Sequence, residues 1–360
     1  MWPYWLMFLV ISLMAVTSLR PWVTPTTRQY WSGTWRTAFV LLTLMIGLRH
    51  EVGGDWYAYV YKLESTLNLP FADALDGLNG DPADNLLNWV GAQSGLGVYF
   101  VNSVYATIFS WGLLVFCRMQ PRPWLALIVA VPYLITVVAM GYTRQAGAIG
   151  LVMLGLAALE NRNISRFMLW IALAATFHKT AIILIPLAIL ASTKRKLFIL
   201  LWSAITVALL YVLLLAEYVE ALFINYIGAE YQSSGAAIRI AMNALPALLF
   251  LFRRNRFQLS PSQRSFWSWM ALGAIAFVAL LYLSPSSTAV DRVALYWMPF
   301  QLFVWSRVPD AMGKPGAANT GWVYAVVGYS AVVYYVWLFF ADNAYSWLPY
   351  QFYPLVLLWQ

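Results

Sequence analysis

Long apolar stretches recur along the whole chain, near 2–19, 34–48, 96–117, 123–140, 143–160, 167–193, 197–217, 237–252, 265–283, 293–306 and 320–341. Many have the roughly 17–25 residues that an α-helix needs to cross about 30 Å of hydrocarbon. In that solvent each backbone N–H and C=O must be paired inside the protein, so helices are the form these stretches take. Most are apolar around the whole circumference, as lipid-embedded helices are. Charged residues make up 10% of the chain, against roughly 25% in a soluble domain. The expected fold is all-α and polytopic: one integral membrane domain over 1–360, with about 11–13 transmembrane or half-membrane helices.

The first stretch has no basic residue before it and no small-residue cleavage pattern after it, so it is expected as a retained helix. The last piece, Leu348 to Trp359, carries Pro349 and Pro354 and is expected to dip into the membrane or lie on it. Two connections are long, 51–95 and 218–236. In the first, Phe71, Leu75 and Leu78 recur at helical spacing beside Asp73 and Asp76, which predicts an amphipathic surface helix. Trp56, Tyr57, Tyr59 and Tyr61 read as interfacial anchors, and the acids between 64 and 84 as a solvated loop. The single cysteine, Cys117, excludes an internal disulfide. The two histidines, His50 and His178, lack metal-ligand spacing, so neither a metal nor another cofactor is expected.

Orientation hinges on His178 and Lys179, the only charged or titratable residues between Phe167 and Thr193. Read as one helix, that run splits the basic residues badly between the two sides. Broken at His178, it gives two arms of about a dozen residues, each too short for a full span. The break restores the parity: 16 of the 22 Lys and Arg share one side with only Glu160 and Asp310 for acids, and 12 of the 14 acids lie on the other. Because Lys and Arg gather in cytoplasmic loops, the acidic side, with both termini, is expected outside. A broken helix at membrane depth requires a protein-walled or wet cavity.

Five of the six cations on the acidic side, Arg49, Arg144, Lys179, Arg239 and Arg292, sit at or near helix ends. Snorkelling or pairing with acidic loops is the ordinary role of each. As a set at membrane depth they mark a candidate site. Helices beginning at Arg144, Lys179 and Arg292 would also turn their positive N-terminal dipole ends to that side. The arrangement suits a multiply charged anion such as a lipid diphosphate, with Arg as the fork and Lys as a point charge. Acid–base candidates lie beside these cations. Asp55 follows Arg49 in "RHEVGGDWYAY", His178 precedes Lys179, and Asp291 precedes Arg292, where a helix-cap role competes. Gly53 and Gly54 mark a tight turn.

The stretches "GLRHEVGGDWYAY" (47–59), "GYTRQAGAIG" (141–150), "FHKTAIILIP" (177–186), "DRVALYW" (291–297) and "WLPYQFYP" (347–354) occur in order along most of the chain. Together they resemble the EpsG family of bacterial exopolysaccharide proteins, which are similar to Wzy-type O-antigen and capsule polymerases. The family's arginine and Gly-Asp-Tyr-like triplet fall on Arg49, Gly54 and Asp55, with Trp56 where tyrosine is more usual. Its Arg-Gln, His-Lys and Asp-Arg pairs fall on Arg144 and Gln145, His178 and Lys179, and Asp291 and Arg292. The resemblance implies a helical bundle like that of membrane glycosyltransferases with lipid-linked donors. It also implies a multi-pass protein of the bacterial inner membrane that joins undecaprenyl-diphosphate-linked oligosaccharides on the periplasmic face. Its partners would be that lipid-linked donor and acceptor, membrane lipids and a chain-length regulator protein, with no nucleic acid. His178, Asp55 and Asp291 compete for the base role. Arg49, Arg144 and Arg292, assisted by Lys179, are candidate diphosphate ligands. Tyr142, Gln145 and Arg239 complete the candidate substrate contacts. The competing readings are an O-antigen-ligase-like transferase, a transporter or flippase, and a membrane acyltransferase resting on His178.

Overall fold

The computed structural model describes residues 1–19, 31–76, 80–187, 196–210 and 232–358. Arg20, Arg28, Leu78, Lys194, Arg195 and most of the 218–236 connection lie outside the described residues. Helices α1 (Trp2–Thr17) and α2 (Gly33–Gly47) lead into a short strand, β1 (Arg49–His50). The 51–95 connection carries α3 (Trp56–Glu64), α4 (Phe71–Asp76) and α5 (Pro82–Gln93). Next come α6 (Gly97–Arg118) and α7 (Pro123–Ala130), which continues as a π-helical segment, Val131–Ala139. Helices α8 (Thr143–Glu160) and α9 (Ile164–Phe177) follow, then a 3₁₀ segment, Lys179–Leu184. The second half contains α10 (Lys196–Leu210), α11 (Ala236–Arg253), α12 (Pro261–Leu283), α13 (Ser287–Ala294), α14 (Met298–Trp305), α15 (Val308–Met312) and α16 (Thr320–Phe340). The chain closes with β2 (Gln351–Phe352) and α17 (Tyr353–Val356).

Helices α6, α11, α12 and α16 are long and apolar enough to cross a membrane, and α1, α2, α9 and α7 with its π-helical extension are shorter apolar helices. The protein is an all-α, polytopic membrane protein. Its centre is α8, in which 15 of 18 residues are buried. Helix α8 packs between α6 and α9. Lipid tails are as apolar as leucine, so helices in a membrane associate through close packing, which small residues allow. A Cβ on Gly112 of α6 would stand 1.9 Å from the Gly150 carbonyl oxygen of α8, so the two backbones touch there.

Charge collects at the two ends of α8, about 27 Å apart at 1.5 Å per residue. At the Glu160 end, Arg122 forks onto Asp310 at 2.9 and 2.8 Å and donates to the Ala317 carbonyl at 2.7 Å. Arg307 reaches Gln120 and lies 3.8 Å from Glu160. Glu160 and Asp310 therefore share the Arg-rich end, as the loop parity requires. His178, Arg144 and the three loop helices meet at the Thr143 end.

The break at His178 is present. Helix α9 stops at Phe177, and His178 is extended, with φ −157° and ψ 107°, before the 3₁₀ segment begins. Two sequence expectations are corrected. Asp291 and Arg292 do not open a helix, because α13 begins at Ser287 and Ser286 Oγ caps it by accepting from the Ala289 amide at 3.3 Å. The helix-terminus argument therefore fails for Arg292. In the piece after Trp347, β2 pairs antiparallel with β1 and sets Arg49 opposite Phe352, an attachment the sequence did not predict and that leaves Leu355, Leu357 and Leu358 exposed. Trp56 and Tyr59 are not interfacial anchors. Trp56 is buried, and the Tyr59 hydroxyl accepts from the Thr143 amide at 3.0 Å. Tyr57 and Tyr61 stay exposed.

Gly112→Val forces α6 and α8 apart and is expected to destabilise the protein by at least about 2 kcal/mol. Gly328→Val on α16 meets nothing within 4 Å and is expected to change stability by less than about 0.5 kcal/mol. Thermal unfolding in detergent checks both. Equal midpoints for the two variants would contradict the contact between α6 and α8.

Candidate functional site

Arg49 emerges from the apolar end of α2 and is fully buried. Its guanidinium donates to the Ile46 carbonyl at 2.6 Å, the Val52 carbonyl at 3.1 Å, Asn102 Oδ1 at 3.3 Å and Thr143 Oγ1 at 2.7 Å. Burial pushes its pKa down to about 10, which leaves it charged at neutral pH. Arg49 faces protein acceptors, so it acts as a clamp beneath the site. The clamp holds the 51–55 turn against the start of α8. Gly53 makes that turn possible: its φ is +109°, and a Cβ there would lie 2.2 Å from the Met140 carbonyl oxygen. Only glycine accepts both conditions.

The turn delivers Asp55, which is partly buried and flanked by Arg292 and Arg144. Burial pushes its carboxyl up, and the two arginines pull it down without cancelling the rise. Proximity to arginine alone predicts the opposite direction. Arg144, the second residue of α8, has a side chain 38% exposed, and it donates one hydrogen bond, at 3.3 Å, to Asp81 Oδ2. Arg292 lies over the Tyr142 ring at 4.2 Å. Among the described residues its guanidinium donates no hydrogen bond. Gln145 Nε2 donates to the Arg292 carbonyl at 2.5 Å, while its buried Oε1 has no hydrogen-bond partner among the described residues.

Asp81 is the residue that sequence reasoning missed. Its place among the acids of 64–84 reads as solvated loop, yet it is only 4% exposed. Pro82 makes Asp81 the N-cap of α5, but its carboxylate forms no capping bond. It reaches across the site instead. Oδ1 accepts the Lys179 amide at 3.0 Å, and Oδ2 lies 3.7 Å from His178 Nδ1, an electrostatic contact longer than a hydrogen bond. Burial alone pushes the Asp81 carboxyl up. The His178 ring, Arg144 and the Lys179 amide outweigh it, so the net shift is downward. Asp84, one turn on, is buried too. It pairs with Lys62 and accepts the Tyr105 hydroxyl at 2.8 Å, which fixes α5 to α6. The "DPAD" sequence at 81–84 does signal a helix start. It does not say where the carboxylates point.

Asp291 is fully engaged. Arg239 forks onto it at 2.7 and 2.8 Å, and Ser233 Oγ donates at 3.1 Å. At the helix break, Thr180 Oγ1 lies 3.2 Å from the Tyr296 hydroxyl, which joins the 3₁₀ segment to the turn after α13. The structure thus brings Asp55, Tyr142, Arg144, Gln145, His178, Lys179 and Arg292 to one end of the bundle. Arg239 and Asp291 form a buried pair beside them, and Arg49 sits underneath. Among the described residues, no three His, Cys, Asp or Glu side chains gather as a metal-holding group.

The profile of the EpsG family matches residues 34–352, from the first turn of α2 to β2. The chain belongs to the EpsG family. The matched span contains every site residue placed above, and it gives this EpsG protein a polysaccharide-polymerase-type, glycosyltransferase-like role in a multi-pass membrane protein. No curated protein and no solved structure matches the chain.

In this EpsG protein, Asp84→Ala leaves Lys62 and Tyr105 without their carboxylate, a loss on the order of 3 kcal/mol for a buried pair. The expected result is rapid proteolysis within 51–95 while the rest of the bundle stays intact; an unchanged cleavage rate would refute the anchoring. The Asp81 contacts favour the ionised form, so they contribute fully above the ordinary Asp range near pH 4 and are lost as pH falls through the lower folded value. The protection of the Lys179 amide against hydrogen exchange, relative to an unstructured amide at the same pH, should therefore stay constant from about pH 5 upward and fall only in stronger acid. In Asp81→Ala it should be lost throughout.

Proposed function

We propose that this EpsG protein joins oligosaccharide repeat units carried on undecaprenyl diphosphate, at the periplasmic face of the bacterial inner membrane, without a metal ion. The observation that carries the reading is the pair of guanidiniums of Arg144 and Arg292, both near enough to act on the Asp55 carboxyl and each with donors to spare in a partly exposed site. Groups already paired, such as Arg49 and Arg239, have few donors left for a ligand. Arg144 and Arg292 can fork onto diphosphate oxygens.

The reaction then follows from charge. The bond between the anomeric carbon and the diphosphate oxygen breaks, and its electron pair leaves with the diphosphate. Arg144 and Arg292, assisted by Lys179, stabilise that departing charge in surroundings of lowered dielectric. An acceptor sugar hydroxyl forms the new bond to the anomeric carbon and gives up its proton. His178 is the base in this reading, because both oxygens of Asp291 are occupied by Arg239 and Ser233. Asp55 balances the two arginines before substrate arrives. Asp81 faces His178 Nδ1, which favours a proton on that nitrogen and leaves Nε2 to accept the acceptor's proton. The Gln145 Oε1 acceptor is available to a sugar hydroxyl. The products are a lengthened glycan on its carrier and free undecaprenyl diphosphate.

Arg144→Ala and Arg292→Ala are each expected to lower polymer formation by about 10²–10³-fold, and His178→Ala by about 10²–10⁴-fold, at unchanged protein levels. Glycan gels with immunoblots read both quantities. Wild-type polymer in both arginine variants would defeat the assignment, and strict dependence on one divalent metal after EDTA treatment would defeat the metal-free step. Tyr57 is 69% exposed at this end of the bundle and Cys117 is buried. In a Cys117→Ser background, Tyr57→Cys should react with an impermeant maleimide in intact cells whose outer membrane is permeabilised. Reaction only after lysis of the inner membrane would reverse the orientation.

A further inference from the structure

Asp55 is the N-cap of α3, and Asp55, Tyr59 and Lys62 follow at i, i+4 and i+7 on one face of that helix. The face is turned inward. The Tyr59 hydroxyl accepts from the Thr143 amide at 3.0 Å, and Lys62 pairs with the buried Asp84. Tyr57 and Tyr61, two residues to either side of Tyr59, point away and are exposed. A phenol oxygen that accepts still has its own proton to donate. Among the described residues the Tyr59 proton has no acceptor, and the side chain is partly exposed. Tyr59 is near enough to Asp55, Arg144, Asp84 and Arg292 to feel their charges. The arginines cannot accept. Asp84 is already filled by Lys62, by the Tyr105 hydroxyl and by Asn88 Nδ2 at 3.2 Å. Asp55 accepts no side-chain hydrogen bond among the described residues. Burial pushes the Tyr59 phenol up, so the proton stays on at neutral pH.

We propose that Tyr59 is a third hydrogen-bond donor to the diphosphate, beside Arg144 and Arg292, and that α8 polarises it for the task. The proposal rests on the function proposed above. The amide that Tyr59 accepts from belongs to the first residue of α8, the positive end of an 18-residue helix. Hydrogen bonds in a chain polarise one another, so a hydroxyl that accepts from such an amide donates more strongly. The Tyr59 proton thereby carries the positive end of α8 one side chain further into the site. The ligand class follows from the inventory. Three groups that can only donate need a ligand that only accepts, and ionised phosphate oxygens are of that kind. A sugar hydroxyl in the same place would bring a proton of its own, with only Asp55 to take it. Gln145 is the opposite case. Its Nε2 is fixed by the Arg292 carbonyl, so its unpartnered Oε1 can only accept. Donors and acceptors are thus sorted, one set for the leaving group and the other for the glycan.

The test measures binding of inorganic pyrophosphate, a probe with the head-group chemistry and no tail, to the full-length protein in detergent. Tyr59→Phe keeps the ring and removes the O–H, and should weaken binding by about 10–100-fold, the range for a hydrogen bond to a charged group. Tyr61→Phe, on the other side of α3, should bind as wild type does. Tyr59→Phe also takes an acceptor from the Thr143 amide, so a second variant separates the two roles. Placing 3-fluorotyrosine at position 59 makes the phenol more acidic, hence a stronger donor and a weaker acceptor. At about pH 6, well below phenol ionisation, the fluorinated protein should bind pyrophosphate more tightly than wild type. Its binding should also fall away at a lower pH than wild type as pH rises, because the ionised phenol no longer donates. Equal or weaker binding at about pH 6 would reduce Tyr59 to a cap on α8 and overturn the proposal. If both Tyr59 variants bind as wild type does while Arg144→Ala and Arg292→Ala lose pyrophosphate, Tyr59 is excluded and the polymerase reading stands. If wild type binds no pyrophosphate and Arg292→Ala still makes polymer, that reading fails and the role of Tyr59 fails with it.

Discussion

The buried Arg49 guanidinium is the constraint on which the rest of this end of the protein depends. A charge removed from water is tolerated only when its hydrogen-bonding capacity is met by protein. Arg49 meets it with acceptors from four places: the end of α2 at Ile46, the turn at Val52, α6 at Asn102 and the start of α8 at Thr143. None of these acceptors can move away without stranding the charge. The turn that carries Asp55 and the helix terminus that carries Arg144 are thereby held as one unit. The pairing of β1 with β2 adds the C-terminal segment to the same unit.

Above that clamp, the charged groups divide by how completely they are satisfied. Arg239 with Asp291, and Lys62 with Asp84, are buried pairs whose partners are fixed. Such pairs build the walls. Arg144 and Arg292 are partly exposed and hold few or no hydrogen bonds to protein. Those are the groups with donors left unspent, since a donor already engaged gains little by exchanging partners. Asp81 belongs to both classes. It is buried, yet its oxygens face the amide of Lys179, the ring of His178 and the tip of Arg144. Through it, a connection outside the membrane helices sets the geometry of the break between α9 and the 3₁₀ segment.

The order of charged and apolar residues was enough to establish the all-α membrane fold, the break at His178 and the grouping of the cations at one end. Lengths of apolar runs are local quantities, and a bilayer of fixed thickness converts them into spans. Loop parity is a bookkeeping of the same kind, so Glu160 and Asp310 were assigned correctly to the Arg-rich end. Arg144 and Lys179 were legible as members of a set of cations at membrane depth and His178 by the helix break beside Lys179, whereas Gln145 came only from the resemblance.

What the order of residues could not decide was the direction in which each side chain spends its charge. Arg49 and Arg144 look alike in sequence, yet one is sealed against protein acceptors and the other faces open space. Asp81 looks like any acid of a solvated loop, yet α5 folds it over the site. Asp291 looks like a helix cap or a free base, yet Arg239, distant in sequence, occupies both its oxygens. Hydrogen bonds act over about 3 Å between residues that lie 98 positions apart at Asp81 and Lys179 and 147 apart at Gln145 and Arg292. The sequence alone determined the helices, the membrane and the end at which charge collects. Only the tertiary structure decided which charges are paired within the protein and which keep unspent donors, because that depends on partners brought together by packing.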